Sequence, residues 1–168
     1  CRSPTFPGKM NSKQRTALLK AWYDTTMQSY FPATDEAFRR NTGFANPVGQ
    51  AFQESMALIL DGLVAGSEAP DFAAPLDRIV RVLAVQGLPA GVSIRFLAVL
   101  RNLLEKNAEL AVSEKKQWLS RLDDLAELSV EIWCECRETL SQLRINELRN
   151  RIQQLEAGSM PRERGGNA

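Results

Sequence analysis

The chain contains no histidine. That removes the usual general base, the commonest metal ligand and the usual proximal haem ligand. Cysteine is scarce, with three in 168 residues; so few do not indicate a disulfide framework. No apolar run approaches the roughly 20 residues that a helix needs to cross a bilayer, so no membrane insertion is expected. A charged n-region followed by an apolar h-region is missing, which gives no signal peptide and makes the cytoplasm the expected compartment. An excess of one charge is lacking too. The formal net charge is +1, no reason to expect nucleic acid or an anionic membrane as partner.

What is present is ordinary for a globular protein, 44% hydrophobic and 24% charged. The length suits one domain with a substantial core. Residues 1–9, "CRSPTFPGK", precede Met10 and are rich in Pro, Gly and Ser. They read as a disordered leader or an expression scar, with Cys1 outside the fold.

Helix signals dominate and strand signals are weak. Over 12–30, Leu18, Trp22, Thr25 and Ser29 share one side, with Leu19, Tyr23, Thr26 and Tyr30 beside them. Pro32 ends that helix, and Thr34 is placed to cap a short second one. Asn46 and Pro47 then read as N-cap and first helical residue, with Val48, Phe52, Met56, Ile59 and Leu63 as the core stripe. Pro75 restarts a helix to about Gln86, and Gly87 suits a left-handed C-cap. A helix from about Ala90 to Lys106 buries Ile94, Leu97, Leu100 and Leu104. The short link predicts an antiparallel hairpin of these two helices.

Between Ser113 and Glu156 there is neither Gly nor Pro. Ser113 is placed to cap a helix whose stripe is Trp118, Leu122, Leu125, Ser129, Ile132 and Cys136. The stripe is then expected to continue through Leu140 or Leu143 to Ile145, Leu148, Ile152 and Leu155. The last four keep heptad a and d spacing beside a Glu147 to Arg151 pair. Unbroken, the helix is about 65 Å long at about 1.5 Å per residue. That exceeds what a domain with a radius of gyration of about 15 Å covers. Its last turns must therefore project, bend back or pair with another chain. The tail 158–168 reads as disordered. The predicted fold is a single all-α bundle of five or six helices with a long C-terminal helix.

Catalytic or metal chemistry finds little support. Cys134 and Cys136 are two apart on a helix, so their sulfurs point about 200° apart and do not grip one ion. Asp123, Asp124, Glu127, Glu131 and Glu135 line the same helix, but the di-metal bundle site that such acids suggest also needs histidine. No Gly-rich phosphate loop is present. No catalytic residue, cofactor or metal ligand is predicted.

Several segments together resemble a known family. They are Asn46-Pro47-Val48-Gly49, Leu76-Asp77, Ile79-Val80-Arg81, Ala84-Val85-Gln86, Phe96, Cys136-Arg137-Glu138 and Asn146-Glu147. Their order and spacing over about residues 12–156 resemble the RsbRD-type N-terminal domain, which precedes the STAS domain in some co-antagonists of the bacterial stressosome. The chain departs from the family pattern at Leu83, where a second arginine is usual, and at the Gly87–Gly91 turn. The resemblance implies a helical sensory module, possibly globin-like without haem, that dimerises and signals through its last helix to a kinase, a STAS protein or a redox complex. It points to Asp77, Arg81, Gln86, Arg137 and Glu138 as partner or structural polar contacts, and to Ile145, Leu148, Ile152 and Leu155 as the dimer helix. With no STAS domain after that helix, the helical domain over residues 10–157 is expected to be either an excised fragment or a stand-alone form. Met10 as a start and the polar tail favour the stand-alone form. Two other readings remain: a sensor holding a small molecule between helices, and a redox or metal protein using Cys134 and Cys136.

Overall fold

The computed structural model describes residues 10–31, 47–67 and 69–159. Among them are six α-helices, one 3-10 turn and no strand. In chain order they are α1 (Ser12–Tyr30), α2 (Pro47–Ala65), the 3-10 turn (Ala69–Phe72), α3 (Ala73–Val85), α4 (Ala90–Ser93), α5 (Arg95–Lys106) and α6 (Val112–Ser159). This is the all-α bundle with a long C-terminal helix that the periodicity predicts. The expected Asn46 cap, the short helix from Thr34, the leader and the residues after Ser159 lie outside the described residues.

α1 opens on a reciprocal capping box that the sequence reading passes over. The Gln14 amide donates to Asn11 Oδ1 at 2.8 Å, and the Asn11 amide to Gln14 Oε1 at 3.0 Å. Two amides are thereby paired at a helix start, where four lack helical partners. Phe31 ends the helix because the residue before a proline disfavours the α region. The buried face is Leu18, Trp22, Tyr23, Thr26 and Met27. Thr25 and Ser29 are exposed instead of buried, because the larger apolar area of Met27 turns the face toward it.

α2 buries Phe52, Met56, Ile59 and Leu63 as its spacing predicts, and Val48 is half-buried. Two glycines then make matching helix ends. Gly66 (φ +80°) and Gly87 (φ +82°) are left-handed. Each is followed by a closing bond, from the Ser67 amide to the Gly62 carbonyl at 2.9 Å and from the Leu88 amide to the Leu83 carbonyl at 3.1 Å. α3 starts at Ala73 rather than Pro75; the proline sits in the first turn, where a missing N–H is tolerated.

The single helix expected from Ala90 to Lys106 is two helices, broken at Ile94 (φ −95°, ψ 0°). Side chains of α1 explain the break. The Tyr30 hydroxyl lies 2.8 Å from the Val92 carbonyl and 3.2 Å from that of Ser93, and it accepts the Phe96 amide at 3.2 Å. Trp22 Nε1 donates to the Phe96 carbonyl at 2.7 Å, and the two rings stack at 6.3 Å. Ile94 is only half-buried, and Phe96 is fully buried in its stead.

The break also prevents the expected hairpin. Residues 87–94 are consumed by a turn and by α4, so α3 packs on α2 and α6 while α5 packs on α1 and α6. The core lies where these pairs meet, around Trp22, Phe52, Met56, Ile59, Leu76, Leu83, Phe96 and Leu100, all fully enclosed. α6 closes it with Trp118, Leu122, Leu125, Ile132 and Cys136. That helix begins at Val112, one residue before the expected Ser113 cap. Glu114 Oε2 accepts the Ala111 amide there at 3.3 Å.

Candidate functional site

α6 is one helix of 48 residues, about 72 Å long at about 1.5 Å per residue. Cys136 is its last buried residue among those described. Arg137 and Leu140 are half-buried, and every position over 141–157 is exposed. The three outcomes left open by the sequence therefore reduce to one within the chain itself: the last turns neither bend back nor rest on the body. They project.

The projecting part carries Ile145, Leu148, Ile152 and Leu155, which are 43%, 58%, 54% and 74% exposed. Buried within one chain, such side chains would each contribute about 1.5–3 kcal/mol. Left in water they form the kind of contiguous apolar strip that marks an interaction surface. Arg151 donates to Glu147 beside them at 2.7 Å.

This strip does not continue the core stripe. At about 100° per residue, it lies about 140° around the helix from the line of Trp118, Leu122, Leu125, Ser129, Ile132 and Cys136. Leu140 and Leu143 do extend the core line, and Leu143 is left exposed at its end. The expected single stripe is thus two stripes on different sides of one helix.

Of the polar residues singled out on α3 and α6, Arg81 and Arg137 lie where the two helices approach each other. Arg81 Nε and Nη2 bond the two Asp77 carboxylate oxygens at 3.0 and 2.5 Å, an i,i+4 pair with both members partly exposed. Its pKa is raised chiefly by the Asp77 hydrogen bond and charge, with further contributions from Cys136 and Glu135 on α6. Arg137 Nη1 lies 3.4 Å from the Ala84 carbonyl, and its guanidinium is 5.9 Å from the centre of the Trp133 ring. Gln86 and Glu138 are exposed.

Two residues that the sequence reading missed belong to the same arrangement. Trp133 Nε1 donates to the Leu88 carbonyl at 3.0 Å, and Arg121 donates to the Ser67 carbonyl. α6 side chains thus meet carbonyls at the ends of both α2 and α3, where helix termini carry partial negative charge. Their signal in the sequence is faint, a Trp and an Arg beside the core stripe. Arg137 accordingly serves the joint between α3 and α6, Arg81 is bound to Asp77 within α3, and Gln86 and Glu138 are exposed to solvent.

A half-open cavity of about 340 Å³ lies between α5 and α6. Ile94, Leu97, Leu122 and Ala126 form its apolar wall, and the Arg101–Asp123 ion pair lies at its edge. Cys134 is exposed and Cys136 buried, so the two sulfurs face different surroundings. Among the described residues, no three His, Cys, Asp or Glu side chains are grouped to hold a metal ion. No helix among them is long and apolar enough to cross a membrane. No family model, curated protein or solved structure matches the chain.

Proposed function

We propose that the protein is a non-enzymatic regulatory module that dimerises through the projecting end of α6 and acts on a protein partner. The observation that carries this is the exposed strip of Ile145, Leu148, Ile152 and Leu155 on a helix that has already left its own core. Ile at a and Leu at d is the pattern that favours two strands in a coiled coil. The resemblance to the RsbRD-type N-terminal domain points the same way, and with it to a kinase, a STAS protein or a redox complex as the partner. On this reading the body holds the base of α6 rigidly. Arg121, Trp133 and Arg137 fix it to the ends of α2 and α3, so a change in the body's packing alters the direction of the projecting helix.

Truncation after Arg144 tests the reading, since every buried residue among those described lies before that point. The shortened chain should keep its helical signal and cooperative unfolding and sediment as a monomer, while the full chain sediments as a dimer. Equal masses for the two would overturn it.

The cavity between α5 and α6 favours a second reading, a small-molecule sensor. Its volume is at the low end of the roughly 300–1,000 Å³ usual for ligand sites. An apolar ligand with a carboxylate would fit the wall and meet Arg101. A fatty-acid panel that leaves the melting temperature unmoved would remove this reading.

A further inference from the structure

Building on the small-molecule reading above, we infer that the cavity between α5 and α6 takes a free medium-chain carboxylate. Its head group rests on Arg95 and its chain runs toward the Arg101–Asp123 pair. The residue that selects the charge of the ligand and the length of chain that fits are both new to that reading.

The space exists because small residues border it on three sides. Gly91 of α4, Ala98 of α5 and Ala126 of α6 all line the cavity, and a Cβ at Gly91 would meet nothing within 4 Å. Protein interiors are otherwise densely packed, and atoms that line a gap forgo dispersion contacts on one side. Here those atoms are apolar. Leu97 and Leu122 are buried beneath the opening, and Ile94 is half-buried at one end. An alkyl chain restores the missing contacts and removes this surface from water.

Charge at the mouth selects the ligand's end. Two cations, Arg95 and Arg101, border the cavity against one anion, Asp123. Arg101 is taken, since it bonds Asp123 from one helix to the other. Arg95 is exposed and forms no ion pair among the described residues. Its guanidinium offers a planar fork of donors that matches a carboxylate. An ammonium head would meet the same excess of positive charge and be repelled.

The Arg101–Asp123 pair limits the length. Arg95 and Arg101 are six residues apart on α5, about 9 Å along its axis at about 1.5 Å per residue. The volume of about 340 Å³ accommodates roughly eleven groups the size of a water, at about 30 Å³ each. A chain of about eight to ten carbons therefore fills the site, and further carbons stay in water.

Calorimetric titration of the full chain with decanoate, decanol, decyltrimethylammonium and hexadecanoate gives the test. Decanoate should bind once per chain, decanol about three- to fivefold more weakly, and the ammonium more weakly still. Hexadecanoate should gain no affinity over decanoate. Arg95→Gln should reduce decanoate to the affinity of decanol and leave decanol unchanged. Gly91→Leu fills the cavity from α4 and Ala98→Leu from α5, so whichever of them folds should abolish binding. Equal affinities for decanoate and decanol overturn the role of Arg95 and leave the cavity reading standing. Affinity that keeps rising to sixteen carbons overturns the length limit. Binding that survives both filled variants overturns this location, including when the probes settle on the exposed strip of α6. If none of the four binds, the small-molecule reading falls as well.

Discussion

Tyr30, the last residue of α1, places its hydroxyl 2.8 Å from the carbonyl oxygen of Val92, where α4 gives way to α5. The Tyr30 hydroxyl oxygen in turn accepts the Phe96 amide at 3.2 Å. One side chain thus pairs both sides of the break at Ile94. Tyr30→Phe leaves a half-buried carbonyl and amide without their partner, so it should lower stability by about 1–3 kcal/mol in urea unfolding. A midpoint unchanged from the parent would show that the break is held by packing alone.

The two tyrosines of the chain are both shifted. Burial raises the pKa of Tyr23, with Asp24 adding to it. Burial raises that of Tyr30 to about 12, against opposing effects of the Phe96 backbone and Arg95. An unfolded tyrosine ionises near pH 10. The unfolded chain therefore releases the Tyr30 proton first, and the stabilisation tied to the neutral phenol is complete below about pH 10 and lost as pH rises to about 12. Phenolate absorbance of the native protein should accordingly lag that of the urea-unfolded chain. Coincident titration curves while the protein is still folded would contradict the geometry.

Gly62 and Gly91 make a matched pair of tests. A Cβ at Gly62 would stand 2.6 Å from Cε1 of Phe72, whereas one at Gly91 meets nothing within 4 Å. Phe72 is buried under α2 and has little room to retreat. Gly62→Ala should cost about 1–3 kcal/mol by overpacking. Gly91→Ala, at a helical position, should be neutral or stabilising by up to about 1 kcal/mol. Thermal unfolding of the two variants would reverse this order if the 3-10 turn moved freely.

Arg81 and Trp133 separate the exposed from the half-buried contacts of the α3–α6 joint. The Arg81–Asp77 pair is exposed and lies within one helix, so Arg81→Leu should change stability by less than about 0.5 kcal/mol. Trp133→Phe removes the donor to Leu88 and should cost about 1 kcal/mol or more. If Arg81→Leu left folding, dimerisation and partner binding all unchanged, Arg81 would belong to the solvated face.

The legible parts of this fold are those set by local rules. Gly87 and Gly66 mark helix ends because only glycine adopts their left-handed backbone without strain. The core residues of α2 and α6 follow from three- and four-residue spacing. The break at Ile94 was not legible, since its cause is Tyr30 and Trp22, more than 60 residues away. The lost hairpin follows from that same distant pairing. At the candidate site, Ile145, Leu148, Ile152 and Leu155 were visible as a heptad run, but their phase against the core stripe was not. Apolar spacing alone does not show on which side of a helix its body lies. Trp133 and Arg121 act on backbone carbonyls, which leave no letter in the sequence to pair with.

The central claim is that the outer strip of α6 is covered by a second copy of the chain. The most direct measurement is the molar mass of the full chain by sedimentation equilibrium over a range of concentrations, alongside Leu148→Arg. Leu148 is exposed in the single chain, so the substitution should leave the body folded while placing two charges against each other in the seam. The account predicts twice the chain mass for the parent and the single-chain mass for Leu148→Arg, with matching helical spectra. A parent that stays at the single-chain mass at the highest concentration, or a Leu148→Arg variant that remains a dimer, would contradict it.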